Sequence, residues 1–264
     1  MMTIPLREFN AILTIAYRDL LRFLRDPSRL IGALILPVIF IGILGGSFQA
    51  SFGNHLGFNF LSLVFTGVFA QTLFQSTAFG MISLIEDREN DFTQEIFVSP
   101  ISRYSIVFGK ITGESLVALV QAIVIILFGA LLGIPYTVGG MLALIPVGLI
   151  VCLLGGSFGL ILLSLFGSQR AANQILPFLI FPQFFTAGVF NPIPTHPIYI
   201  EILSLISPLR YGVDLTRGVF YLGQPAYKTT IMFSPLLNLL IIAVLFVVFL
   251  VAGTIMFVRS ERNK

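Results

Sequence analysis

Six stretches of this chain run for about twenty residues or more with almost no charge: 30–50, 58–85, 111–133, 141–166, 171–190 and 232–258. About 20 apolar residues is what an α-helix needs to cross the hydrocarbon of a bilayer. The alternative, a water-soluble fold, fails on composition. Of 264 residues 56% are hydrophobic and 10% charged, and the mean hydropathy is +0.98. Soluble domains carry about 25% charged residues, because much of a small globule must face water. The pattern predicts an all-α membrane protein with six transmembrane helices. Pro177 and Pro182 interrupt the fifth stretch; a span tolerates proline where neighbouring groups satisfy the freed carbonyls.

Lys and Arg set the orientation. Arg7, Arg18, Arg22, Arg25 and Arg29 precede the first span, Arg88, Arg103 and Lys110 join the second to the third, Arg170 the fourth to the fifth, and Arg259, Arg262 and Lys264 follow the last. The other side receives only Arg210, Arg217 and Lys228. Both termini are therefore expected in the cytoplasm of a multi-pass plasma-membrane protein. The N-terminus does not read as a cleavable signal peptide, since the apolar run after its arginines is too long. A net charge of +3 gives no reason to expect nucleic acid.

Two segments do not fit spans. Residues 1–29 hold a helical pattern over 3–25, with arginines interleaved among Ile4, Phe9, Leu13, Tyr17, Leu20 and Leu24, which suits an interfacial amphipathic helix; a purely topogenic basic flank is the plainer reading. Asp26-Pro27 is expected to end it. Residues 191–231 form a long outer connection broken by "NPIPTHP", with helical patterns over 199–206 and 209–222. It is expected to be re-entrant or to pack over the bundle. Arg210, Asp214 and Arg217 fall on one helix face, read as a solvated stabilising pair in preference to a substrate contact.

No catalytic set is visible. His55 and His196 lack a partner at metal-ligand spacing. Cys152 is the only cysteine. Gly109-Lys110 is no phosphate loop, because Tyr104 and Ile111 stand where Gly and Ser or Thr are needed. Glu114 is the only acid within a span, one turn from Lys110, which can reach it. No ionisable group sits at mid-depth, as a proton-coupled carrier would need. Glycine pairs at 42/46, 109/113, 129/133 and 155/159 have the spacing for close helix approach.

Against this background the segment 86–110 stands out, with five acids and three bases. It can form a short helix over 87–97, stopped by Ser99-Pro100, with Phe92, Ile96 and Phe97 on an apolar face; Ser102 can cap the next helix. A plain connecting loop would not need that face. "DRENDFTQEIFVSPISRYSIVFGKITGESLVALVQ" resembles the signature of type-2 ABC exporter permeases, carried here by Arg88, Glu89, Glu95, Ile96, Phe97, Val98, Ser99, Pro100, Ser102, Arg103, Gly109 and Lys110. One departure is Asp91-Phe92-Thr93 where the family often has Gly-Thr. "FFTAGVFNPIPTHPIYIEILSLISPLRYGVDLTRGVF" is similar to the family's outer segment, through Gly188, Phe190, Pro208, Tyr211, Asp214 and Arg217.

The resemblance implies one transmembrane permease domain over 1–264 that binds no cofactor itself and is not an enzyme alone. It implies two separate cytoplasmic ABC ATPase subunits that carry ATP and Mg²⁺, and a second copy of the chain or a related permease. The contact with the ATPase would fall on Arg88, Glu89, Phe92, Glu95, Ile96, Phe97, Ser99 and Pro100. The implied activity is export of a drug, antibiotic or lipid; a polysaccharide or glycolipid exporter shares this arrangement. Outside the family, a secondary carrier would show repeat symmetry, and a structural subunit would need no docking helix.

Overall fold

The computed structural model describes residues 4–52, 58–89, 102–136, 138–166, 168–191 and 198–262. Among them the regular structure is entirely helical: α1 (Ile4–Leu24), α2 (Pro27–Val38), a π-helical stretch (Ile39–Gly45) and α3 (Gly46–Phe52), which continue one another, α4 (Phe60–Gly80), α5 (Ser83–Glu89), α6 (Arg103–Leu131), α7 (Val138–Leu163), α8 (Gln169–Thr186), α9 (Ile198–Ile206), α10 (Pro208–Phe220), α11 (Tyr227–Thr230) and α12 (Pro235–Arg262). Five helical stretches are long and apolar enough to cross a membrane: Pro27–Ser51, Phe60–Asp87, Arg103–Leu131, Gly139–Leu163 and Tyr227–Arg259. The chain is an all-α membrane protein.

The expected fifth span is α8, which does not reach that standard. It is 18 residues long, contains Pro177 and Pro182, and opens with Gln169 and Arg170. Its contacts nonetheless run along the bundle. Gln169 and Asn173 line a cavity with Asp19 and Lys110 at the α1 end, while Val189, just past its C-terminus, meets Gly67 in the far half of α4.

Side-chain caps set several starts. Asp26 accepts from the Arg29 amide and Pro27 takes the first turn of α2, so Asp26-Pro27 ends α1 and begins the next helix. Asn59, Ser102 and Ser168 cap α4, α6 and α8 in the same way.

At the centre stands α4, with seventeen of its twenty-one residues buried. A helix apolar all round must be surrounded all round. Here α6, α7 and α10 surround it, and α12 packs on α7. Two of the glycine pairs act as expected. A side chain at Gly155 would collide with the Phe74 backbone and at Gly159 with that of Ala78, so α7 lies directly on α4. Gly109 and Gly113 instead admit α1, through Ile12, Ile15, Ala16 and Asp19. The remaining pairs do not act as pairs: nothing lies near Gly46, and Gly133, at φ +74°, ends α6 in a left-handed turn.

The outer connection departs from its reading as a solvated ion pair. In α10, Arg210, Asp214 and Arg217 are all buried, and the arginines do not bond to Asp214. Asp214 accepts from the Met232 and Phe233 amides, both at 2.9 Å, and from Asn238 Nδ2 at 2.8 Å, tying α10 to the start of α12. Arg217 donates to the carbonyls of Gly188 (2.7 Å) and Val189 (3.2 Å). Arg210 lies 5.2 Å from the Phe233 ring centre and donates to Met232 Sδ. A polar face at helical spacing suggests solvent, but each of these residues finds a backbone or soft partner inside the bundle, while Nε and Nη1 of Arg210 and Nε of Arg217 are buried without a hydrogen bond among the described residues. Pro208 opens α10, and Tyr211 donates to the Leu205 carbonyl at 2.8 Å, closing the corner with α9.

Two outcomes test this packing. Gly159→Val is expected to lower stability by about 1–3 kcal/mol, as overpacking against backbone does, whereas Gly46→Ala leaves thermal unfolding in detergent unchanged. Asp214→Leu leaves three donors unpaired and is expected to cost roughly 3 kcal/mol or more, read as a lower unfolding temperature and faster proteolysis near residue 230.

Candidate functional site

The two ends of the segment that the sequence singles out, 86–110, are both held by α1. At its start, Arg18 Nη2 lies 2.8 Å from Asp87 Oδ2, and Arg22 Nη2 lies 3.3 Å from Glu86 Oε1. At its end, the Glu8 carboxylate accepts from the Ser102 amide at 3.1 Å, on the residue that caps α6. Hydrogen bonds from the Ser105 hydroxyl and the Ser102 backbone hold the Glu8 carboxyl below its usual pKa. That tie is therefore present at neutral pH and is lost as the pH falls through the lowered value.

Beneath this bracket lies a buried cluster. Lys110, 2% exposed, sits 2.7 Å from Asp19 Oδ2 and 3.4 Å from Glu114 Oε1. Arg29, in the first turn of α2, approaches Glu114 Oε2 at 3.6 Å. Arg18 also pairs with Asp19 at 3.0 Å. One chain of charges thus connects α1, α2, α5 and α6. Removing one partner of such a buried pair costs roughly 3–5 kcal/mol, because it leaves a charge sealed away from water. Local sequence explains the position of each member. Asp19 shares the inward face of α1 with Ala16 and Phe23, both buried, and that face lies on the glycines of α6. Lys110 lies between those glycines, and Glu114 follows one turn later. Gly80 leaves room for the Glu114 carboxylate against α4. A cavity of about 340 Å³ opens beside the cluster, lined also by Asp26, Arg22 and Asn173.

The expected contact between Lys110 and Glu114 is present. Asp19, Glu8 and Arg29 were not singled out as site residues. The signal for Asp19 was available as one of two acids, with Glu8, on a helix otherwise basic and apolar, facing a Gly-Lys-x-x-Gly stretch. Arg88 and Glu89 close α5. Phe92, Glu95, Ile96, Phe97, Ser99 and Pro100 lie outside the described residues. Pro208, Tyr211, Asp214 and Arg217 belong to the separate outer clasp of α10. Among the described residues no group of three or more His, Cys, Asp or Glu is placed to hold a metal ion.

Comparison with known proteins bears on this arrangement. The family model described as ABC-2 type transporter matches residues 10–221, which include most of α1, the buried charged cluster and α10. The ycf38 protein of Cyanophora paradoxa, named as a transport permease, is 28% identical over 74% of this chain and 69% of its own length. YbhR of Escherichia coli K12, named as a multidrug ABC transporter permease, is 27% identical over 53% of this chain, a match spanning 38% of that protein. The daunorubicin resistance ABC transporter permease DrrB1 of Streptomyces coeruleorubidus is 22% identical over 80% of this chain and 75% of its own length. With four fifths of its length matched, the chain belongs to the ABC-2 type transporter family, the membrane permeases of ABC transporters.

Proposed function

We propose that the chain is the membrane-spanning subunit of an ATP-driven exporter. It crosses the plasma membrane six times with both termini in the cytoplasm, and moves a hydrophobic or amphipathic compound outward or to the outer leaflet. The observation that carries this reading is the bracket: α1 holds both ends of 86–110 and is rooted in the buried Asp19–Lys110–Glu114 cluster. Force applied to α1 or to 86–110 by a partner on that side passes directly to α6 and α2. The fuel belongs to two separate ATPase subunits that carry ATP and Mg²⁺. They dock on the segment 86–100, through Arg88, Glu89, Phe92, Glu95, Ile96, Phe97, Ser99 and Pro100.

A second copy of the chain, or a related permease, packs on the side formed by α2 and α8. The π-helical stretch that continues α2 adjoins α8 through Phe40 and Phe184, with ring centres 6.2 Å apart, and Ile43, Phe178 and Phe185 are exposed. The names of two relatives refer to multidrug transport and daunorubicin resistance, which favours drugs or antibiotics as the cargo class.

Three outcomes are expected. Co-expressed with its ATPase, the chain co-purifies with it, and ATP-dependent transport in vesicles requires both; transport by the chain alone overturns the reading. Replacing the side chains of 92–98 with Ala leaves insertion intact but lowers transport per ATP by about 5- to 150-fold, the usual range of a coupling free energy; undiminished transport removes 86–110 from the coupling path. Lys110→Met alone is strongly destabilising, by roughly 3–5 kcal/mol. Asp19→Asn combined with Lys110→Met recovers part of that loss and still uncouples ATP hydrolysis from transport.

A further inference from the structure

The spans handle most of their polar side chains in one way, by turning the hydroxyl back onto a carbonyl of the same helix. Thr77, Ser115, Ser157 and Thr254 all do so. One group does not. Gln71, Thr72, Gln75 and Ser76 of α4 converge with Gln121 of α6 on a cleft of about 260 Å³ beside α2. Gln71 Nε2 donates to Gln75 Oε1 at 2.5 Å, and Gln121 Nε2 donates to Ser76 Oγ at 2.9 Å. Each amide has two N–H donors and a carbonyl with two lone pairs, so these bonds use only part of the available capacity. None of the polar atoms of these five residues is both sealed from the surroundings and unpaired. The unused donors and acceptors therefore open onto the cleft. In hydrocarbon such groups are costly unless something polar meets them.

Gln71 lies eleven residues into α4, about 16 Å along the helix at 1.5 Å per residue, which is near mid-depth. Arg29, which also approaches Glu114 at 3.6 Å, lines the end of the cleft toward α1, and among the described residues lining the cleft it is the only charged one. The walls are apolar, built by Phe23, Pro37, Phe40 and Phe79. Phe40 belongs to the π-helical stretch of the first span, a geometry rare in helices and frequent at functional sites. The volume falls just under the roughly 300–1,000 Å³ of ordinary ligand pockets. It takes a head group, with the tail left in lipid.

We propose that this cleft binds the head of an amphiphile that carries hydroxyl, carbonyl or amide groups and is either uncharged or anionic, and that it rejects cationic heads. The amides meet hydroxyls with both donors and acceptors. Arg29 accommodates a negative charge and repels a positive one. That the bound amphiphile is cargo rests on the export reading above; the binding itself does not.

The test uses the full chain in phosphatidylcholine nanodiscs, without any ATPase. Two diazirine-bearing probes share one alkyl tail, one with a glucoside head and one with a trimethylammonium head. The glucoside probe is expected to label residues lining the cleft, mapped by mass spectrometry, and the trimethylammonium probe is not. Gln75→Leu and Gln121→Leu each reduce the glucoside labelling by about five- to tenfold, the worth of a hydrogen bond lost without replacement. Gln75→Glu adds a carboxylate and is expected to admit the cationic probe, a gain that misfolding would not produce. Equal labelling by both heads, labelling elsewhere, or labelling indifferent to all three variants overturns the proposal. Adding the ATPase then separates the two readings. Cleft labelling without ATP-driven movement of the glucoside probe leaves the site standing and counts against export of this class. Movement without cleft labelling refutes the site and leaves the exporter intact.

Discussion

A buried ammonium holds the membrane end of this molecule together. Lys110 has left water almost entirely, and Asp19 and Glu114, at 2.7 and 3.4 Å, make that tolerable. Desolvating a charge costs several kcal/mol per ion after relaxation, so the helices that supply the partners cannot drift apart cheaply. An amphipathic helix lying on a bilayer is ordinarily a loose element, held by its apolar stripe alone. Here α1 is a packed member of the bundle, seated on Gly109 and Gly113, and its outward stripe of Leu6, Phe9, Leu13, Tyr17 and Leu24 remains exposed.

What was legible in the sequence follows from how far each signal reaches. The apolar runs, the break at Asp26-Pro27, the cap at Ser102, and the contact between Lys110 and Glu114 are local, and local physical chemistry decides them. The inward face of α1 was not legible, because a helix with two apolar faces, one toward lipid and one toward protein, has no single periodic stripe. Asp19 disappears among four arginines in such a pattern. The outer segment misled for a related reason. The spacing of Arg210, Asp214 and Arg217 fits a solvated face equally well, and only the tertiary structure supplies the Gly188 carbonyl, the Met232 amide and the Phe233 ring that let those groups be buried.

The polar groups of the bundle are sorted along its length. At the α1 end, charges meet charges on other helices. Near mid-depth stand uncharged amides, Gln71, Gln75 and Gln121, which the hydrocarbon tolerates far better than ions. At the far end the charges return, but their partners are mostly backbone groups. This order matches the polarity profile of a membrane more closely than any count of spans does. It also explains why α8, with two internal prolines and a polar first turn, can run through the bundle without being a clean apolar span.

The two charged ends also differ in how they can move. Among the described residues Arg18 pairs with Asp19 and Asp87, Lys110 with Asp19 and Glu114, and Glu114 with Lys110 and Arg29. Each can shift weight from one partner to another without losing its charge compensation, so the α1 end has more than one satisfied arrangement within a small displacement. Asp214 and Arg217 bond mainly to amides and carbonyls fixed in the chain. Moving them away from these partners leaves buried groups unpaired. Displacement is therefore cheap where the ion pairs can be exchanged and expensive where the backbone holds. The cleft between α2, α4 and α6 lies between these two charged ends.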